Sequence, residues 1–138
     1  MTQRPVSAYV QVGGLYWFAR MCDKVRKAAR GELHERHVPF LGKGMDDRLC
    51  RFLRVDYKAV HARVLAGDDD QAVLAWCQAK GRGIDDNDVL IWNQFASKRG
   101  WRDETTAALE ADKAKSGFVH RADLVTFFDF YDVDEGRR

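Results

Sequence analysis

The charged residues that could bind an anion are concentrated in one short segment. The stretch "GGLYWFARMCDKVRKAARG", from Gly13 to Gly31, mixes aromatic and apolar side chains with lysines and arginines. On a helix, Arg20 and Lys24 lie one turn apart, and Asp23 can reach Arg20. A carboxylate that holds an arginine fixes the guanidinium plane, which suits bidentate binding of a carboxylate or phosphate. We therefore predict that Arg20, Asp23 and Lys24 form a polar cluster at the rim of a cleft.

The connection that follows this segment contains two further candidates. His37 in "HERH" and Lys43 in "LGKGMDD" lie in a stretch, residues 34–46, that is short enough to fold back across the helix. We predict that both close over the anion, and that His37 is available for proton transfer because an imidazole titrates near neutral pH. The acidic stretch "DFYDVDEG" could instead neutralise the same cations, which would leave none free for a ligand.

Two other patterns resemble known sites less closely. His34 and His37 are spaced like a metal pair, but no carboxylate or cysteine completes the set at ligand spacing. The glycine-rich "LGKGMDD" lacks the first glycine and the Ser or Thr of a P-loop, and Asp46 would repel an anion from the next helix. We interpret it as a tight connection that needs glycine at positive φ. We assign no catalytic residue and expect neither a metal nor a cofactor.

Helices must position these residues, because helix-capping signals punctuate the whole chain. Segments open on an acidic residue and close on a glycine, as N-caps and C-caps do. The acidic openers are Asp46, Asp56, Asp68, Asp85 and Asp103, and Asp68 with Gln71 has the spacing of a capping box. Only "AYVQV" alternates like a strand. The sequence predicts an all-α fold, a single-domain irregular bundle of about seven helices over residues 1–138, with an N-terminal arm (1–12) and a C-terminal tail (133–138).

The spacing of apolar residues predicts which faces form the core. Leu15, Phe18, Cys22 and Val25 share one arc of the first helix. In the last helix, apolar side chains recur at i, i+3, i+4 and i+7. We expect the first stripe to be buried together with Leu124, Phe127 and Phe128.

Composition narrows the classes of function. The net charge of +2 is small for a dedicated nucleic-acid protein. No apolar run approaches the roughly 18 residues of a membrane span, and "MTQRPVSAYVQV" lacks the apolar run of a signal peptide, so we expect no membrane partner. The three cysteines, Cys22, Cys50 and Cys77, are odd in number, far apart and flanked by apolar residues. This pattern favours reduced, buried thiols in a cytoplasmic protein.

Several short motifs occur together in a specific order along the chain. They include "GLYWFARMCDKVR", "GKGMDDRLCRFLRVD", "IWNQF", "RADLVTFFDFYD" and "DVDEGR", and they extend from about Gly13 to Arg137. In this combination the chain resembles a bacterial family of small all-helical proteins catalogued only as a domain of unknown function. The resemblance implies a bacterial cytosolic helical domain and supplies no activity, cofactor or catalytic residue.

Three hypotheses for the function follow. The first is binding of a small anionic metabolite, with or without catalysis, in a basic cleft beside the first helix. The second is a non-catalytic protein-interaction module. The third and weakest is nucleic-acid binding through Arg20, Lys24, Lys27 and Arg30 with "SKRGWR". A concave pocket lined by Arg20 and His37 would favour the first, a flat apolar patch the second and a continuous basic stripe the third.

Overall fold

A computed structural model describes all residues from 1 to 138 and contains seven α-helices and one 3-10 helix. The helices are α1 (Phe18–Ala29), the 3-10 helix (Glu35–Phe40), α2 (Met45–Leu53), α3 (Tyr57–Leu65), α4 (Asp70–Lys80), α5 (Asp86–Ser97), α6 (Thr106–Lys115) and α7 (Phe127–Asp134). The stretch "AYVQV" forms no strand and takes part in one isolated bridge, between Val12 and Leu15. The predicted all-α bundle is confirmed.

The hydrophobic core consists of two clusters of unequal size. The main cluster is built around α1, which packs against α3 and α4, and it includes Leu15, Phe18, Cys22, Val25 and Phe128. The small cluster consists of Leu109, Leu124, Phe130 and Val133. The expectation that the α1 stripe is buried together with Leu124, Phe127 and Phe128 is confirmed for Phe128 and holds only in part for the other two. Leu124 belongs to the other cluster, and Phe127 is only half-buried.

Helix α7 connects the two clusters. Phe128 packs into the main cluster, whereas Phe130 packs into the small one. Residues two apart on a helix point in nearly opposite directions, so one short helix can serve both clusters. The clusters consequently meet along a seam beside α7.

Local capping follows the predicted chemistry with shifts of position. The capping box occurs on α5, where Asp85 and Asp88 bond to each other's backbone N–H, and not at Asp68 with Gln71. Helix α4 begins one residue later, with the Asp69 side chain accepting a hydrogen bond from the N–H of Ala72 at 2.9 Å. The chain enters α4 at Asp69, so Asp69 and not Asp68 is the N-cap of this helix.

The three cysteines are free and buried, as predicted. Burial raises the pKa of the Cys77 thiol to about 11 and is the main reason that the pKa of Cys50 rises to about 12. These thiols are therefore protonated near neutral pH, which makes them poor nucleophiles. None of the helices is both long enough and apolar enough to span a lipid bilayer.

Replacing Phe128 tests the main cluster. Phe128→Ala should lower the free energy of unfolding by about 3–5 kcal/mol, because it removes a large buried side chain and leaves a cavity. Phe40→Ala makes the same chemical change at a side chain that is 59% exposed, and it should cost less than about 1 kcal/mol. Urea unfolding followed by circular dichroism measures both. Equal losses for the two variants would contradict the packing of α7 described above.

Candidate functional site

A cleft of about 580 Å³ lies on the seam between the two clusters. Phe128 of the main cluster and Phe130 of the small cluster both line it. Helix α6 forms one wall with Ala108, Asp112 and Lys115, whose spacing places them on a single helical face. The volume falls within the range of pockets that hold small molecules.

Positive charge dominates this cleft. Eight lysines and arginines line it, against three carboxylates. The cations are Arg4, Arg20, Lys24, Arg36, Lys43, Arg48, Arg99 and Lys115, and the carboxylates are Asp112, Asp134 and Glu135. Since the whole chain carries only +2, the excess is a property of this cleft and not of the surface as a whole.

Arg20 is locked in place by the end of α7. Its guanidinium donates two hydrogen bonds to the carboxylate of Glu135, at 2.9 and 2.6 Å, and a third to the carbonyl of Val6 at 3.1 Å. It also stacks on Tyr131, 4.9 Å from the ring centroid. Burial alone would raise the pKa of Glu135, but the hydrogen bonds and charge of Arg20 hold this pKa below its ordinary value.

Lys24 is locked in the same way by the first turn of α2. Its ammonium lies 2.7 Å from Oδ2 of Asp46, and both side chains are almost inaccessible. The other carboxylate oxygen of Asp46 accepts a hydrogen bond from the indole N–H of Trp17 at 2.8 Å. Burial lowers the pKa of Lys24, and the Asp46 carboxylate opposes this effect. The pair fixes α2 against α1.

Trp17 has an unusual backbone conformation at this point. Its φ is 77°, a left-handed value that bulky residues rarely adopt. Such strain persists only where the surroundings over-determine the residue. Here the ring packs 5.8 Å from the ring of Phe128 and lies beneath both Arg20 and Lys24, at 5.4 Å from each. Trp17 therefore forms a rigid floor at the centre of the cleft.

His37 lines the cleft as predicted, but it does not titrate near neutral pH. Burial lowers the pKa of His37 to about 3, and the positive charges of Arg20 and Arg4 act in the same direction. The negative charge of Glu135 opposes them only in part. Its Nε2 atom lies 3.3 Å from a guanidinium nitrogen of Arg4. Because arginine can only donate, Nε2 accepts and the ring is neutral. The lowered pKa and the contact with Arg4 weigh against proton transfer by His37 near neutral pH.

Four of the lining cations are ion-paired and four are not. Arg20 and Lys24 have the partners described above, Arg36 lies 3.0 Å from Asp134, and Arg99 contacts Asp103 and Glu104. No carboxylate lies within ion-pair distance of the remaining four, which are Arg4, Lys43, Arg48 and Lys115. Lys43, Arg48 and Lys115 are also exposed to solvent. The free positive charge thus lies at the rim of the cleft.

Four of the five predicted site residues lie in the cleft, and one does not. Arg20, Lys24, His37 and Lys43 all line it. Asp23 accepts hydrogen bonds from the backbone N–H of Val6 at 2.9 Å and from Lys27 at 2.6 Å, so the predicted pairing of Asp23 with Arg20 does not form. The alternative that the acidic C-terminal stretch neutralises Arg20 is correct for this residue, through Glu135.

The prediction that Asp46 caps α2 is also wrong. The N-cap is Gly44, at φ 60°, and Asp46 lies within the helix, fully buried. Gly42, at φ 75°, donates its N–H to Asp46, and a Cβ added there would come within 2.7 Å of the Tyr57 ring. The glycine-rich stretch is therefore a tight connection that requires glycine, as interpreted from the sequence.

Sequence reasoning assigned no role in the site to Arg4, Asp46, Arg48 or Lys115, and it named Glu135 only as part of the acidic C-terminal stretch. Asp46 and Glu135 hold the buried cations, and Arg48 and Lys115 supply free charge at the rim. A signal was present for Arg48, which lies one turn beyond the glycines of the connection. No local pattern indicated Asp46 or Lys115. The partner of Asp46 is Lys24 on a different helix, and Lys115 lies on a helix that only the tertiary fold brings to the cleft.

The two neighbouring histidines make separate contacts. His34 accepts a hydrogen bond from the N–H of Arg36 at 3.2 Å, whereas His37 is engaged by Arg4. No group of three or more side chains from His, Cys, Asp and Glu is arranged to hold a metal ion.

Comparison with known proteins identifies the family. The model of the family described as Domain of unknown function (DUF5069) matches residues 2–137, so the chain belongs to this family. No curated protein matches the chain. The expected membership of a family catalogued as a domain of unknown function is thereby confirmed, and the family description names no activity.

Two adjacent aspartates on α2 allow a matched test of the buried pair. Asp46→Asn should lower the free energy of unfolding by about 3–5 kcal/mol, because it leaves the Lys24 ammonium buried without a counter-charge. Asp47→Asn removes a half-exposed partner of Arg51 and should cost about 1 kcal/mol or less. Urea unfolding at neutral pH compares the two. A small effect of Asp46→Asn would show that Lys24 does not depend on this carboxylate.

The depressed pKa of His37 predicts a stability change in mild acid. The unfolded chain binds a proton at His37 near pH 6.5 and the folded chain only near pH 3, so stability rises with pH across this window. Acidification from pH 7 to pH 5 should cost about 2 kcal/mol through this residue. His37→Asn should remove that part of the pH dependence, whereas His120→Asn, at an exposed position, should not. Identical pH profiles for wild type and His37→Asn would contradict the assignment.

Proposed function

We propose that the protein binds a small anionic metabolite in the cleft between α1, α2, α6 and α7. The observation that carries the proposal is the surplus of positive charge inside one concavity. Four lining cations lack a carboxylate partner, and they surround a floor made of Trp17 and its neighbours. An anion in the cleft would supply the counter-charges that the protein itself does not provide there.

The rigidity of the floor supports the same proposal. Arg20 and Lys24 are each held by a buried carboxylate, and Trp17 is fixed by Asp46. A site whose walls are already ordered loses little conformational entropy when a ligand enters. The exposed lysine and arginine side chains at the rim have room to adjust to the anion.

The proposal is one of binding and assigns no reaction. His37 is the lining side chain whose ordinary pKa suits proton transfer, and it is held neutral with a pKa of about 3. The cysteines are buried in the main cluster, outside the residues that line the cleft. The contacts of the cleft therefore favour recognition over general acid–base or thiol chemistry.

The other two hypotheses have weaker support. For nucleic-acid binding, Lys27 is paired with Asp23 and Arg30 with Glu32, so the expected basic stripe is largely engaged in ion pairs within the protein. Protein docking is the second candidate, because Leu90 and Ile91 of α5 are each more than half exposed. Exposed apolar side chains on one helix are suited to a partner surface.

A thermal-shift screen against anionic metabolites tests the proposal. A ligand present at 100 times its Kd adds about 2.7 kcal/mol of stability, which is a measurable rise in Tm. Lys43→Ala and Arg48→Ala should each reduce the shift, because they remove free charge at the rim. Arg51→Ala is the control, since Arg51 lies on the same helix but is exposed and paired with Asp47. The absence of any shift, or equal losses in all three variants, would contradict anion binding in this cleft.

A further inference from the structure

The N-terminus of α2 opens onto the cleft. In its first turn the N–H of Asp46 donates to the carbonyl of Lys43 at 3.2 Å, whereas the N–H groups of Met45 and Asp47 have no acceptor within the chain. Lys43, Gly44 and Met45 line the cleft together with Arg48, one turn further along the helix. No side chain caps the N-terminus of this helix. The first N–H groups of a helix lack intrahelical partners, and the helix dipole places partial positive charge there. These donors, with two unpaired cations beside them, are suited to an anion that has several oxygens.

The sequence suggested that Asp46 would repel an anion from the N-terminus of α2. The buried environment of Asp46 removes this obstacle. A carboxylate in the first turn would ordinarily repel an anion, but that of Asp46 is fully buried and lies 2.7 Å from the Lys24 ammonium. It also accepts hydrogen bonds from Trp17 and Gly42. Its charge is thus compensated beneath the surface. Asp47 pairs with Arg51, 3.0 Å away on the same helix.

A buried donor without a partner lines the same cleft. The Nε–H of Arg20 is inaccessible and has no acceptor, although the residue is only 2% exposed. Lys24 is similarly buried, and Asp46 is the one carboxylate that contacts its ammonium. Buried donors are nearly always satisfied in folded proteins, so this N–H marks a point on the wall of the cleft where the protein supplies no acceptor.

An aromatic ring stands exposed beside the charged end of the cleft. Phe40 lines the cleft and yet is 59% exposed. Its carbonyl accepts a hydrogen bond from the N–H of Lys43 at 3.0 Å, so one tight turn presents both side chains. The ring of Phe127, half-buried, lines the cleft as well. Exposed aromatic faces favour stacking with a flat apolar group.

We infer that the ligand is a phosphate monoester that carries a flat aromatic group, an inference that rests on the proposed function. The phosphate binds at the N-terminus of α2 with Lys43 and Arg48, because a dianion with three free oxygens can use both side chains and the backbone donors. The aromatic group stacks on Phe40. The cleft, at about 580 Å³, has room for both parts.

Two probes separate the two parts of the ligand. Inorganic phosphate tests the charged end, and phenyl phosphate tests the charged and aromatic ends together, each by isothermal titration with the full chain. Phenyl phosphate should bind about tenfold more tightly than phosphate, because the stacked ring adds a favourable contact. Lys43→Ala and Arg48→Ala should weaken both probes.

Phe40→Ala is the decisive variant. It should remove the advantage of phenyl phosphate and leave the affinity for phosphate unchanged. Val38→Ala is its control, because Val38 lies on the same 3-10 helix, is 49% exposed and is not part of the lining. The thermal midpoint of each variant without ligand checks that it is folded.

The outcomes distinguish this inference from the proposed function. Equal affinities for the two probes, or an unchanged advantage of phenyl phosphate in Phe40→Ala, would overturn the inference while anion binding stands. Binding of neither probe, with a shift by another anion in the screen, would also overturn only the inference. If no anion of any kind binds, both fail.

Discussion

The bidentate ion pair between Arg20 and Glu135 is the contact on which the site depends. Glu135 follows the last residue of α7, where the helix dipole disfavours negative charge, and a buried carboxylate is costly unless it is paired. Arg20 supplies that partner from α1, 115 residues earlier in the chain, and also binds the carbonyl of Val6. One guanidinium thereby holds together the N-terminal arm, the central helix and the end of the last helix.

The ion pair of Lys24 and Asp46 holds α2 against α1, as the pair of Arg20 and Glu135 holds the end of α7 against α1. Together the two pairs compensate the buried charges on the wall of the cleft. The acidic residues nearest the floor are used in this way, so the cations at the rim have no carboxylate within reach. A chain that is nearly neutral overall can therefore present a strongly positive cleft. The positive potential of the cleft therefore arises from which cations lack carboxylate partners, and not from the composition of the chain.

The cleft exists because the core is divided. Leu109, Leu124, Phe130 and Val133 form a separate cluster, and α7 alone contributes aromatic side chains to both clusters. Two convex packed bodies that meet along one helix leave a groove beside it. Pockets commonly form at such junctions, where side chains from different units converge. The division also explains why Phe127, at the junction, stays half-buried.

The sequence by itself determined the features that depend on residues within a turn or two. Capping signals predicted an all-α bundle, apolar spacing predicted the buried face of α1, and the spacing of Arg20 and Lys24 predicted two neighbouring cations. Only the tertiary structure decided which carboxylates they contact. Asp23 is the nearest in sequence, yet Glu135 holds Arg20, because packing of α7 and desolvation favour a partner that is buried with the guanidinium. The pKa of His37 shifted for the same reason: burial and distant charges act through space, and a local pattern does not encode them.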